Sequence, residues 1–176
     1  MDLGSKTIAI YYHMPFIVHE DGEFYANPVM GTFIESLIPY FNRIIVFGFE
    51  SIKNSESLSY NLSHNKNLKF VSLGPEGHFW DHFQKMYRMR NVFKNLKYSV
   101  DILLLRVPSH LAFAVWKYAD KPNYTALLFI GNPFFTPAYS NTRGYMFFFR
   151  KLRSGLHDRR MKTICRKSSA MVIANS

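Results

Sequence analysis

Cysteine is nearly missing from this chain: Cys165 is the single one in 176 residues, so no intrachain disulfide can form. That fits a reducing compartment. Long apolar runs are missing too. None reaches the roughly 18 residues that would cross a bilayer. The apolar stretch at 7–12, directly after the start, is too short for the core of a secretory signal. These absences predict a soluble, cytoplasmic protein. Acids are scarce, with 12 Asp and Glu against 22 Lys and Arg.

Several chemical signatures are also absent. No Gly-x-Gly-x-x-Gly follows the first apolar run, which argues against dinucleotide binding, and no Gly-x-x-x-x-Gly-Lys-[Ser/Thr] loop exists. No serine sits in a Gly-x-Ser-x-Gly elbow. His78 and His82 are four residues apart, but Phe79 stands where a zinc protease carries Glu. No metal site and no cofactor are therefore expected.

What is present is apolar bulk and local charge. Hydrophobic residues make up 48% of the chain and aromatics 17%, which excludes a disordered polymer. One domain spanning residues 1–176 is the expected organisation. The net charge of +10 is concentrated between residues 141 and 168, where nine basic residues meet one acid, Asp158. Charge so localised needs a local explanation.

Six short apolar runs, at 6–12, 43–49, 68–73, 100–106, 125–130 and 170–174, alternate with helical or polar stretches. Several are apolar at consecutive positions, as in strands buried on both faces of a parallel sheet. Asn27 and Pro28 mark a helix start, and Val29, Phe33, Leu37 and Phe41 recur every fourth residue. Pro39 predicts a kink or an early end. Further helices are expected over 79–98, 109–118 and 142–167, the last interrupted near Gly155, and a short extra strand around 59–62. The pattern predicts an α/β protein: a Rossmann-like three-layer domain with a mostly parallel sheet of about six to seven strands.

In such sheets, ligands bind beyond the carboxyl ends of the strands. This selects His13 and Pro15 after the first run, Gly31 in the first turns of the following helix, Arg106 and Ser109 after the fourth run, and Gly131 and Asn132 after the fifth. Gly31 either lets a phosphate approach the helix amino terminus or simply packs against the sheet. His13 either bonds a sugar hydroxyl or phosphate or is a satisfied polar residue. Arg106 ends an apolar strand and needs an anionic partner, either a carboxylate of the protein or a phosphate of a ligand. Asn132 suits hydroxyl recognition.

The basic segment also carries three consecutive phenylalanines, which cannot all face the sheet. Phe147, Phe148, Arg150, Lys151, Arg153, Arg159 and Arg160 suit the surface of an anionic membrane. A solvated helix face and a contact with another domain are the competing readings; a nucleic-acid surface lacks any recognition motif.

Taken in order, 31–37, 43–48, 105–109, 130–133 and 172–176 resemble the amino-terminal domain of the retaining GT-B glycosyltransferases of family 4. The likeness covers nearly the whole chain. It implies an acceptor-binding half that works with a carboxyl-terminal, donor-binding domain absent from this sequence, and so a truncated chain that is inactive alone. It further implies a nucleotide-sugar donor, a glycolipid or polysaccharide acceptor, polysaccharide biosynthesis, no metal, and peripheral attachment to the inner face of the plasma membrane. It leaves the catalytic residues unassigned. The rival reading is a non-catalytic Rossmann-like module that binds anionic membrane or nucleic acid through 141–168.

Overall fold

The computed structural model describes residues 3–19, 23–51, 57–75, 90–92, 100–107, 109, 111–119, 122, 124–130 and 145–174. Side chains of 130, 145–154, 157 and 171–174 fall outside that description. The order of elements is β1 (Thr7–Val18), β2 (Phe24–Ala26), α1 (Pro28–Leu37), a 3-10 turn (Ile38–Tyr40), β3 (Arg43–Glu50), β4 (Tyr60–Asn61), β5 (Leu68–Pro75), β6 (Ile102–Val107), α2 (Ala112–Tyr118), β7 (Tyr124–Ile130), α3 (Tyr145–Lys167) and β8 (Ala170–Ala174).

The protein is mixed α/β, and among the described residues the strands form one open, eight-stranded sheet. Five of its pairings are parallel, joining the strands in the order β5-β3-β1-β6-β7-β8. Two are antiparallel and attach the short β2 and β4 to the far end of β1. Alternation of side chains along each strand divides the core in two. Ile8, Ile10, Ile44 and Val46 pack with Met30 and Ile34 of α1 on one face. Ala9, Tyr11, Ile45, Phe47, Leu103 and Leu105 pack with Ala112 and Val115 of α2 and Met161 and Ile164 of α3 on the other. Each fully buried Ile, Leu or Phe contributes about 1.5–3 kcal/mol, and that burial holds the layers together.

Local signals explain the element ends. Asn27 caps α1 through its side chain, which accepts from the Val29 N–H at 3.0 Å, with Pro28 at the first helical position. The α-helix stops at Leu37 and tightens into the 3-10 turn that contains Pro39, as the missing proline N–H requires. The amino edge of the sheet is stitched shut. Asp101 accepts from the Thr7 N–H at 2.9 Å and pairs with Lys6 at 3.5 Å, while the Tyr124 N–H reaches the Asp101 carbonyl.

Three expectations need correction. The first strand does not end at Tyr12; it runs to Val18, because its second half pairs with β3 and turns into a hairpin with β2. The helix before β8 is not interrupted near Gly155. It is continuous over Tyr145–Lys167, since glycine weakens a helix without forbidding its backbone. Helix α2 begins at Ala112, not Ser109, whose hydroxyl is engaged elsewhere. The expected helix over 79–98 lies outside the described residues apart from 90–92, which are helical.

Candidate functional site at the carboxyl edge of strands β1 and β6

Strand β1 pairs with β6 only from Ile8 to Tyr11, and its pairing with β3 shifts register between Tyr11 and Pro15. Proline has no N–H for the ladder, so a break just before Pro15 is what its chemistry allows. Beyond Tyr11 β1 no longer pairs with β6, and Tyr11, Tyr12, His13, Arg106 and Ser109 lie at or just after the carboxyl ends of these paired stretches, where ligands bind in open α/β sheets.

Tyr11 and His13 lie two apart on one strand face. The Tyr11 hydroxyl is 3.1 Å from His13 Nδ1 and 2.9 Å from Ser109 Oγ. Ser109 Oγ also accepts from the Leu111 N–H at 3.4 Å, tying the network to the lead-in of α2. Tyr11 and Ser109 are buried, whereas His13 is exposed, with its ring edge-on to Phe49 at 5.2 Å. Burial pushes the Tyr11 hydroxyl far above its ordinary range, opposed by the Ser109 hydrogen bond and by the charge of Arg106. Tyr11 therefore stays a neutral phenol. With Nδ1 of His13 as acceptor, the protons run from Ser109 to Tyr11 to His13. A second proton on His13 reverses the chain, because Nδ1 then donates.

In this arrangement Ser109 and His13 are not in direct contact. The Tyr11 hydroxyl stands between Ser109 and His13, so the imidazole does not take a proton from the serine directly. Neutral hydroxyls and an imidazole suit a polyhydroxylated ligand. Arg106 holds its charge over the Tyr12 ring, 4.3 Å from the centroid.

The remaining sequence-selected residues go to other places. Pro15 belongs to the second half of β1, in register with Phe49. Gly31 does not join this site. Its N–H donates to the Asn27 carbonyl, and a Cβ added there would overlap the Tyr60 ring, so the packing reading is the one the geometry favours and the phosphate approach is closed. Tyr60 is held over α1 by Glu35, which accepts from its hydroxyl and also pairs with His64 at 3.0 Å. Gly131 and Asn132 lie outside the described residues. Tyr11 was not singled out from the sequence. Its signal is a hydroxyl inside an apolar run, which requires a buried partner.

On α3, Phe147, Phe148, Arg150, Lys151 and Arg153 follow the helix backbone, their side chains lying outside the described residues. Arg159 and Arg160 are exposed, with Lys162, Arg166 and Lys167. Two of these cations bridge to α2: Arg160 lies over Phe113 at 5.5 Å and Lys167 over Trp116 at 5.8 Å. Among the described residues, no group of three or more His, Cys, Asp or Glu side chains could hold a metal ion. No helix among them is long and apolar enough to cross a membrane.

Neither family models, curated proteins nor solved structures match the chain. What the site can do is read from its own groups.

Proposed function

We propose that this chain is the acceptor-binding half of a retaining GT-B glycosyltransferase that moves a sugar from a nucleotide-sugar to a glycolipid or polysaccharide. The observation that carries the reading is the strand order. Numbered by their place in the chain, the six parallel strands run 3-2-1-4-5-6, the order of doubly wound, Rossmann-like three-layer domains. In that order the ligand crevice is expected where the direction of winding reverses, between β1 and β6, and the Tyr11–Ser109–His13 network and, on the other sheet face, Arg106 stand at the carboxyl ends of those strands. The resemblance implies that Gly31 lies near the donor's phosphates, but Tyr60 covers Gly31, so the donor contact of this half does not run through that glycine.

Titrating the chain with uridine and guanosine diphosphate sugars, followed by calorimetry, tests the assignment. Only weak, millimolar binding is expected, whereas soluble acceptor fragments perturb the His13 ring resonances. Micromolar affinity for a nucleotide-sugar overturns it.

A second reading is favoured by the exposed cations Arg159, Lys162 and Arg166 on α3. It makes the chain a non-catalytic module that docks on anionic membrane. The two readings are compatible if the acceptor is itself a membrane glycolipid.

A further inference from the structure

Arg106 is the penultimate residue of β6 and follows Ile102 and Leu104 on the strand face that packs toward α1. It is half-buried at the open carboxyl edge of the sheet. Burying a guanidinium this far calls for hydrogen-bond acceptors. Arg106 belongs to neither the Lys6–Asp101 nor the His64–Glu35 ion pair. Its ring contact with Tyr12 satisfies the charge but offers no lone pair to its five N–H donors. The guanidinium is thus held in place by an aromatic face, with its fork of donors unmatched by any carboxylate among the described residues.

We infer that Arg106 recognises an oxyanion carried by the acceptor sugar, a phosphate or a carboxylate. The inference rests on the acceptor-half reading and specifies it: the acceptor is an acidic saccharide. A planar guanidinium matches either group through two parallel hydrogen bonds, which a lysine ammonium cannot reproduce. Tyr11, kept neutral by burial, does not repel the anion.

The test compares a methyl hexoside, the same hexose as its 6-phosphate, the corresponding hexuronate and inorganic phosphate, binding to the 176-residue chain by ligand-observed NMR up to about 10 mM. The phosphorylated or carboxylated sugar is expected to bind at least about tenfold more tightly than the neutral one. Arg106→Gln erases that difference, and Arg106→Lys restores only part of it. The circular dichroism melt of each variant confirms folding, and Arg106→Lys serves as the folded reference if Arg106→Gln melts early. No preference for the acidic sugars, including no binding of either, overturns the inference, and so does a preference unchanged in Arg106→Gln. Inorganic phosphate binding as tightly as the sugar phosphate also overturns it, because the site then reads a free anion. Failure of the acceptor-half reading shows separately, as micromolar affinity for a nucleotide-sugar.

Discussion

Tyr11 shows how much one hydroxyl decides. It is fully buried between β3 and β6, yet its oxygen meets both Ser109 and His13. Replacing it with Phe keeps the ring and removes both bonds. Tyr11→Phe is expected to lower stability at neutral pH by about 1 kcal/mol, measured by urea unfolding. The pH dependence has a definite sign. Burial raises the pKa of Tyr11 in the folded chain above the usual tyrosine value near 10. Above that pH the unfolded chain releases a proton that the folded chain retains, so stability falls as pH rises. Between about pH 9 and pH 11 the wild type should lose stability more steeply than Tyr11→Phe; parallel curves would contradict the burial of this phenol. The sequence singled out His13 and Ser109 but not Tyr11, whose hydroxyl joins them, nor the Tyr11–Ser109 contact across 98 positions of the chain. No local pattern reports a contact across two strands.

At the scale of elements, glycine separates packing from propensity. Gly155 sits mid-way along α3, exposed, with no atom within 4 Å of an added Cβ. Gly155→Ala should therefore raise the stability of α3 by up to about 1 kcal/mol, through helix propensity alone. Gly31 is also helical, but an added Cβ there meets the Cγ and Cβ of Tyr60, atoms too close to the backbone to swing away. Gly31→Ala should cost about 1–3 kcal/mol and loosen β4 from α1. Thermal melts of the two variants, shifting in opposite directions, check both statements. Element positions were legible because periodicity and caps are local: Asn27-Pro28 opened α1, Pro39 closed it, and a short strand near residue 60 stood out from its polar surroundings. The continuation of β1 to Val18 was not legible, since it depends on pairing with β2 and β3.

For the whole molecule, charge and topology point to different surfaces. The positive excess gathers on 141–168, which includes most of α3, whereas the candidate site lies at the carboxyl ends of β1 and β6. Arg160 and Lys167 are partly spent on the rings of α2, so the cations that test a membrane role are Arg159, Lys162 and Arg166. Each near-surface cation adds about 1 kcal/mol of attraction to anionic lipid. Reversing all three to Glu should abolish co-sedimentation with phosphatidylserine vesicles and leave the behaviour toward neutral vesicles unchanged. Undiminished binding removes α3 from any membrane contact.

By itself, the sequence determined the alternation of strands and helices, the caps and the localised charge, because each depends on residues near one another in the chain. Strand order, the register break in β1, and the meeting of Tyr11 with Ser109 were decided only by tertiary structure. Those features arise from pairing and packing between segments 30 to 100 residues apart, where many arrangements satisfy the same local pattern and burial of both sheet faces selects among them.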